Sequence, residues 1–505
     1  MTVPRLGSLK LPGCLTVGCL TVACLTVACL AGCDVGPRYH RPALDVPVAY
    51  TSPPQPPAAP PPLDWWRGFA APDLNRLIET ALHNSPDVQA AAARIVQADQ
   101  AARVAGSPLL PGITGTLAQN YQRSGVGSTG NSFNLSSLGP QFANLGHSNT
   151  YTDTRTYSAE LNASYEVDFW GKNRDAFRAA EALATGSRYD AQTVWLTTIS
   201  SIANTYFQAL GYRDRELIAQ RNLHDAAQVL DAFRARMAVG TANALDVSQQ
   251  EALVAGYRAT IPSLESQYRQ QVIALAILVG EAPERITLGD KRLIELQLPA
   301  VAAGLPSFVL RRRPDVAYAE AQLISQNQTV KQDFAAFFPS LTLTASGGVS
   351  SLALSTITGP GTVVASPASQ LTQTIFDNGL KSGTLGEAKG RFQELAADYV
   401  RAVLQALSDV ETGLTATSFA ADQEALEAEA VRTAQTSATI ARAQLQAGTV
   451  DIVTVLNTET TLFNDQDTLA QVRVNRFLSL VSLYKALGGG WSLPGQGPIN
   501  AGSQS

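Results

Sequence analysis

The most regular pattern in the chain is a strict alternation of apolar and polar residues over the 13 positions from Tyr157 to Phe169. A repeat of two residues predicts a β-strand with one apolar face and one wet face. Weaker alternation covers residues near 113–120, 341–349 and 369–376, so we expect four strands in two hairpins. The strand at 157–169 is long enough to cross a bilayer at a tilt, although a long strand of a soluble sandwich would show the same pattern.

A long segment without proline follows each predicted hairpin. The segment from Lys172 to Val239 would extend about 100 Å as a single helix, and a second segment of this kind covers residues 387–447. Helices of this length imply coiled-coil packing. Four shorter helices are predicted at 87–105, 244–279, 316–334 and 452–486. In each half the two shorter helices together almost equal the long one, so we expect them to stack end to end beside it.

The chain contains an internal duplication. The sequence Ser-Pro-Asp-Val at 85–88 returns as Arg-Pro-Asp-Val at 313–316, which is an offset of 228 positions. Gly240-Thr241 returns as Gly448-Thr449, an offset of 208, so the first half carries about 20 extra residues. A repeat this long is a duplicated domain rather than a solenoid unit. We expect the extra residues to form a larger outward loop around 121–156.

Four strands cannot close a membrane barrel, and an open sheet edge in lipid leaves backbone groups without hydrogen bonds. Several chains must therefore combine their strands if the strands enter a membrane. Two chains would give an eight-stranded barrel filled by side chains, whereas three chains would give a twelve-stranded barrel with an open lumen. A conduit would therefore require at least a trimer.

The N-terminal segment has the features of a bacterial lipoprotein signal. It has a charged start and an apolar run that ends in Leu-Ala-Gly-Cys at 30–33, and all five cysteines lie within it. We expect residues 1–32 to be removed and Cys33 to be acylated; an uncleaved membrane anchor is the alternative. Asp34 could alter sorting between the two membranes. The proline-rich residues 33–63 are expected to form a linker.

Composition and charge exclude several function classes. Charged residues make up 16% of the chain and the net charge is -5, which gives no basic footprint for nucleic acid. The four histidines are far apart in sequence, so we expect no metal site and no cofactor. The carboxylates of Glu160, Glu166 and Asp168 share one strand face and could suggest acid–base catalysis, but a wet barrel face explains them better. We predict no catalytic residues and no enzymatic activity.

Two glycine-containing turns are predicted to join the long helices to the shorter ones that follow. Gly240-Thr241 and Gly448-Thr449 would lie at the end of each helical hairpin farthest from the strands, with glycine ending the helix in a left-handed conformation. Asp451 begins the helix after the second turn. It is either an N-cap, part of a gate, or both.

Several motifs resemble the outer-membrane efflux proteins, the TolC-like family. The opening Leu-Asp-Trp-Trp-Arg-Gly-Phe at 63–69 and the closing Leu-Tyr-Lys-Ala-Leu-Gly-Gly-Gly-Trp at 483–491 are similar to its terminal signatures. Residues 168–172 and 376–379 resemble its strand-to-helix junctions, which contain Gly171 and Gly379. Cys33 with Val-Gly-Pro-Arg-Tyr at 35–39 resembles the nodulation-type lipoprotein branch, which serves resistance-nodulation-division pumps.

The resemblance implies a fold and an assembly. The fold would be mainly α, with duplicated helix-strand-strand-helix halves at 64–300 and 301–491 and a flexible tail at 492–505. A homotrimer would form a twelve-stranded barrel in outer-membrane lipid, continued by a long α-helical barrel across the periplasm. The two turns would dock a periplasmic adaptor, which serves an inner-membrane resistance-nodulation-division pump, and Asp451 would form an acidic ring at the aperture.

The function predicted from these observations is passive conduction in a tripartite efflux system. Two alternatives remain open at this stage. One is a type I secretion duct, which shares the fold. The other is a lipid-anchored periplasmic coiled-coil scaffold that never enters a membrane.

Overall fold

The computed structural model describes residues 35–47, 49–51, 62–126, 150–301 and 306–489. These residues form two similar halves. The first half contains α1 Pro72–Asn84, α2 Pro86–Ala105, β1 Gly112–Val126, β2 Thr150–Val167, α3 Lys172–Ala238 and α4 Ala244–Val279. The second half contains α5 Pro306–Arg312, α6 Pro314–Ala335, β3 Ser340–Ser351, β4 Val363–Thr372, α7 Leu380–Gln446 and α8 Ile452–Ala486. The helices α1 and α5 are additional to those predicted.

The described residues belong to two compact units. The first unit takes its residues from 1–39, 100–181 and 325–392 and contains the whole sheet. The second unit takes its residues from 40–99, 182–324 and 393–505 and is helical in its described parts.

The sheet is antiparallel with the strand order β1-β2-β3-β4. Glu160 on β2 lies opposite Thr116 on β1, and Glu166 on β2 lies opposite Thr342 on β3, so polar residues of adjacent strands share one face. The polar face predicted for β2 therefore continues onto β1 and β3. β1 and β4 are the outer strands, and β4 is exposed along its whole length.

The strand positions require correction. β2 ends at Val167 and not at Phe169, and β4 covers 363–372 where 369–376 was predicted. The error came from treating Phe169 and Phe376 as strand residues. The carboxylate of Asp168 accepts hydrogen bonds from the backbone N–H groups of Asn173 and Arg174, so the chain has already turned toward the helix before Phe169.

The predicted outward loop of the first half is also shorter than expected. The strands β1 and β2 extend to Val126 and from Thr150, so they include residues 121–126 and 150–156 of that region. Cross-strand pairing continues to Val126 opposite Thr150. The rest of the predicted loop lies outside the described residues.

The shorter helices meet end to end, as predicted. After α4, Gly280 adopts φ +81°, and a Cβ there would collide with the carbonyl oxygen of Asn84, just before α2. After α8, Gly488 adopts φ +68°, and a Cβ there would collide with the carbonyl oxygen of Arg312, just before α6. Glycine is needed at both places because the conformation is left-handed and the approach is close. The ion pair of Arg188 with Asp99 (2.8 Å) places α2 beside α3.

The largest hydrophobic core lies in the helical unit. Trp65 and Phe69, from a short 3-10 helix, are fully buried against Tyr206 and Phe207 of α3 and against Tyr484 of α8. The ring of Trp65 stacks on that of Tyr484 at 4.9 Å between centroids. Ile199 and Ile202 of α3 are also fully buried in this core, so one face of the long helix packs against its own chain.

The described residues that follow the predicted lipidation site, 35–47 and 49–51, form no helix or strand and contact the helices of the second half. Arg41 donates a hydrogen bond to Glu320 of α6 (2.6 Å), and the backbone N–H of Thr51 donates to Glu411 of α7 (3.3 Å). Tyr50 packs against a small apolar cluster that includes Val410. This part of the predicted linker is therefore held on the helices α6 and α7.

Candidate functional site: the turn ends of the two helical hairpins

The turns that end the first hairpin (α3–α4) and the second hairpin (α7–α8) have the same geometry. Gly240 and Gly448 both adopt φ +74°. The backbone N–H and hydroxyl of Thr241 donate to the carbonyl of Arg236, and the same groups of Thr449 donate to the carbonyl of Gln444. These bonds satisfy carbonyl groups that a helix end leaves free. The 208-residue repeat therefore extends to individual hydrogen bonds.

The helices that follow the turns begin differently. In the first hairpin the side chains and backbone N–H groups of Asn243 and Asp246 bond to each other and form a capping box. In the second hairpin Asp451 is the N-cap, and its carboxylate accepts bonds from the backbone N–H (2.9 Å) and hydroxyl (2.6 Å) of Thr454. The N-cap interpretation of Asp451 is therefore confirmed.

Asp451 is an exposed carboxylate that remains charged in mild acid. The hydroxyl of Thr454 contributes most to lowering the pKa of Asp451 below its ordinary value, and the backbone N–H of Thr454 lowers it further. Hydrogen bonds to the ionised form favour that form. The second turn therefore presents a persistent negative charge next to Gly448 and Thr449.

The two tips also differ in exposed apolar surface. The first hairpin exposes the large side chains Met237, Val239 and Leu245 around its turn, whereas the second exposes Val453. Exposed apolar groups that cluster at one place are typical of an interaction surface. The first tip is thus the more apolar and the second the more acidic.

An apolar core joins the two hairpins close to these turns. Phe233 and Val247 of the first hairpin pack in one cluster with Ala441, Ile452 and Val455 of the second. A groove of about 530 Å³ lies beside this core. Its lining side chains come from α3 and α7, and they are Asp225, Gln228, Val229, Ala232, Phe233, Arg236, Arg442, Leu445 and Gln446.

An arginine–glutamate pair joins the two helices of each hairpin. Arg234 lies 2.7 Å from Glu251 in the first hairpin, and Arg442 lies 2.9 Å from Glu459 in the second. The sequence interpretation missed both pairs, although both residues recur at the same 208-residue offset as the turn glycines. That common offset was the signal that could have identified them.

The strand-to-helix junctions also follow the repeat. Gly171 and Gly379 adopt φ +83° and +86°, and each follows a helix-capping aspartate, Asp168 or Asp377. At the first junction the indole N–H of Trp170 donates to the carbonyl of Pro339 (2.8 Å). Each junction therefore ends a strand and begins a long helix within a few residues.

Two features are absent from the part of the chain that the structure describes. No helix within it has the length and apolarity needed to cross a membrane. No group of three or more His, Cys, Asp or Glu side chains within it could hold a metal ion. Cys33, Asp34 and the C-terminal tail at 492–505 lie outside the described residues.

A duplicated helix-strand-strand-helix chain that contributes four strands and two long hairpins defines a subunit of an outer-membrane channel. The family profile described as outer membrane efflux protein matches residues 77–281 and 305–489, and the chain belongs to this family. The fold class and the outer-membrane location predicted from the sequence are confirmed. The chain is an outer-membrane channel component of an efflux system.

Individual relatives agree with this assignment. The pyoverdine export outer membrane protein OpmQ of Pseudomonas aeruginosa is 38% identical over 434 residues, which cover 86% of this chain and 88% of OpmQ. The cation efflux system protein CusC of Escherichia coli O157:H7 is 28% identical over 91% of this chain and 96% of CusC. The open state of the Neisseria gonorrhoeae MtrE outer membrane channel superposes with a TM-score of 0.80 at 26% identity, covering 91% of this chain and 98% of MtrE.

Proposed function

We propose that three copies of this chain form one passive export duct. The sheet supports this proposal because β1 and β4 are its outer strands and β4 is exposed along its length. In lipid each backbone group without a partner costs several kcal/mol, so β4 of one copy must pair with β1 of the next. Three copies give twelve strands and an open lumen, whereas two copies give eight strands and a filled interior.

The long helix α7 supports the same assembly. It exposes the large apolar side chains Leu404, Phe419, Leu426 and Ile440. The last three are separated by multiples of seven residues, which is the spacing of a coiled-coil seam. A second copy of the chain would cover this seam, and the helices would then continue the strand barrel as a helical barrel.

The hairpin tips are the proposed docking end. Gly240-Thr241 and Gly448-Thr449 would face a periplasmic adaptor, and Met237, Val239 and Leu245 supply apolar contact area there. The adaptor would link the duct to an inner-membrane pump of the resistance-nodulation-division class. Relatives of this chain are named for the export of pyoverdine, toluene or cations. Such different cargoes support a duct that catalyses no reaction and leaves substrate selection to the pump.

Asp451 is the proposed gate residue. Three copies would place three charged carboxylates near one axis, where they repel one another and attract cations. The hydrogen bonds from Thr454 lower the pKa of Asp451 and so favour its charged form. The first tip has Asp246 in a capping box instead, and its counterpart in the second half is Thr454.

Cys33 is the proposed lipidation site, after removal of residues 1–32. Mass spectrometry of the mature N-terminus tests this directly. We expect a diacylglycerol-modified, N-acylated Cys33 in the wild type and no acylated peptide from Cys33→Ser. An unmodified N-terminus upstream of Cys33 in the wild type would contradict lipidation and support the uncleaved anchor.

Conductance across a planar bilayer tests the proposed duct. Full-length protein purified from membranes should give stepwise, ohmic current without any energy source. Soluble particles that never conduct would contradict the proposal. Crosslinking in cells then separates efflux from type I secretion, because the inner-membrane protein captured by the tip should be a resistance-nodulation-division pump and not an ATP-driven exporter.

A further inference from the structure

The first pair of strands extends farther than the second and carries charged residues in its extension. β2 pairs with β3 from Tyr157 to Val167, whereas its pairing with β1 continues outward to Val126 opposite Thr150. The strands β3 and β4 contain no charged residue. The extension contains what we call the arginine cluster, which consists of Tyr121, Arg123, Tyr151, Asp153 and Arg155. The cluster is therefore a feature of the first half that its duplicate lacks.

The arginine cluster lies on the apolar face of the sheet. Arg155 lies directly opposite Tyr121, and Arg123 lies directly opposite Asp153, so all four side chains share one face. Farther along the same face, the exposed apolar side chains are Ile113, Leu117 and Leu161. The apolar face of an outer-membrane barrel contacts lipid and the polar face lines the lumen. Both arginines therefore face lipid.

The length of β2 places the cluster at the edge of the hydrocarbon. From Val167 to Tyr157 the strand advances by about 33 Å, at about 3.3 Å per residue. A tilt of about 40° reduces this to about 25 Å along the membrane normal, which is the height of the apolar band of an outer-membrane barrel. Arg155 is the next residue on the same face beyond Tyr157. The strand-to-helix junction follows Val167, so the cluster lies at the opposite, outer end of the strand, at the level of the lipid headgroups.

The two arginines have different partners. Arg123 lies 5.1 Å from the ring centroid of Tyr151 and also forms an ion pair with Asp153 at 3.1 Å. Arg155 lies 5.7 Å from the ring centroid of Tyr121, and no carboxylate of the described residues forms an ion pair with it. A cation is attracted to the face of an aromatic ring, but the ring does not neutralise its charge. Two arginines and one aspartate leave the cluster with one positive charge in excess, which we assign to Arg155.

We propose that Arg155, assisted by Arg123, binds a phosphate group of a lipid in the outer leaflet. A charge on the lipid face is tolerated close to the interface, and lipid phosphates are the anions found there. The planar guanidinium group can donate two parallel hydrogen bonds to one phosphate. Tyrosine beside it suits the boundary between hydrocarbon and headgroups. The site goes beyond the proposed duct, although its lipid-facing position rests on the proposed barrel.

Native mass spectrometry of the full-length protein in detergent measures this binding. The probes are lipid A with both phosphate groups and the same lipid with its phosphates removed. We expect the wild-type trimer to bind one phosphorylated lipid per chain, about tenfold more tightly than the dephosphorylated form. Arg155→Gln should weaken binding of the phosphorylated lipid by about tenfold. Arg123→Gln should weaken it less, because the charge of Arg123 is shared with Asp153.

Matched variants separate a lipid-facing site from a general effect of charge. The double variant Arg155→Gln and Thr154→Arg keeps the net charge but moves it to the polar face, since Thr154 lies opposite Gln122. It should bind as weakly as Arg155→Gln alone. Arg155→Lys keeps the charge on the lipid face without the paired N–H geometry, so its affinity should be intermediate. The same spectra report the trimer, so any variant that does not assemble is recognised, and Arg155→Lys then provides the comparison with the wild type.

Three results would overturn the lipid site. One is equal affinity of the wild type and Arg155→Gln for phosphorylated lipid A. Another is equal affinity of the wild type for lipid A with and without its phosphates. The third is displacement of lipid A by inorganic phosphate, which would identify free phosphate as the ligand. Each result can occur in a trimer that conducts ions, so failure of the lipid site and failure of the proposed duct remain separable.

Discussion

The long helices α3 and α7 each contain 67 residues and hold equivalent places in the two halves, but they differ in what covers them. Between residues 182 and 219 of α3, Leu183 alone is exposed. About half of the corresponding residues 390–427 of α7 are exposed. Since the duplication makes the backbones equivalent, the difference lies in the partners: α3 is covered within its own chain, and α7 requires a neighbouring copy.

The same contrast recurs at the hairpin ends. The turns share their hydrogen bonds, yet Arg234–Glu251 is exposed and Arg442–Glu459 is buried. Duplication kept an arginine and a glutamate at equivalent positions in both hairpins, but the packing around the two pairs differs. Differences between the halves are therefore more informative about function than their similarities.

The largest expected effect is loss of the trimer when aspartate replaces the exposed apolar residues of the α7 seam. The double variant Phe419→Asp and Leu426→Asp would bury two unpaired carboxylates between copies, each costing several kcal/mol. We expect loss of the trimer and of efflux, measured by native mass spectrometry and drug or dye export. Ala428→Asp adds a charge on another side of the same helix and should leave the trimer intact. Trimers that persist in the double variant would contradict the seam.

The next largest effect is a loss of stability when glycine is replaced at a helix end. Gly280 lies at a crowded helix end and Gly240 at an open one. Gly280→Ala should destabilise the fold by about 3 kcal/mol, since it combines a left-handed backbone with a collision against the Asn84 carbonyl. Gly240→Ala has the same kind of backbone but open space around it, so about 1 kcal/mol is expected. Thermal unfolding in detergent measures both. Equal losses would show that the close approach at Gly280 is unimportant.

The proposed gate at the second turn should respond to charge and not to capping. Asp451→Asn keeps an effective N-cap and removes the charge, so it should raise single-channel conductance and weaken block by divalent or trivalent cations. Asp451→Ala should do the same and also destabilise α8 by about 1 kcal/mol. Asp246→Asn serves as the control at the first turn. Wild-type conductance and block in Asp451→Asn would remove Asp451 from the gate.

The smallest expected effect concerns the pH dependence of this block. Thr454 lowers the pKa of Asp451, so the negative charge is present above the folded pKa and is lost as the pH falls through it. Thr454→Val removes the hydroxyl donor and should move the loss of cation block to a higher pH. The measurement is a titration of block in planar bilayers. A shift toward lower pH, or no shift, would disagree with this assignment.

Much of the fold could be predicted because it depends on local patterns. The alternation of apolar and polar residues predicted β2, and the long segment without proline predicted α3. The duplication predicted that the turn at Gly240 has an equivalent at Gly448. The end of β2 was misplaced because Phe169 continues the alternation, while the capping bonds of Asp168 that end the strand leave no trace in hydrophobicity.

Less of the candidate site could be predicted from the sequence. Asp451 and the turn glycines were found because caps and turns are local. The different burial of Glu251 and Glu459 was not predictable, since it depends on which helices surround each carboxylate. Asp225, which forms an ion pair with Arg442, lies 217 positions away in sequence and comes close only after both hairpins have packed.

The number of chains in the particle is the central claim, because both the lumen and the covered seam of α7 depend on it. Native mass spectrometry of the complex released from outer membranes measures that number directly. We predict three copies, whose twelve strands enclose an open lumen. A particle of one or two copies would contradict the account, because its strands would leave open edges in lipid or close around a filled interior.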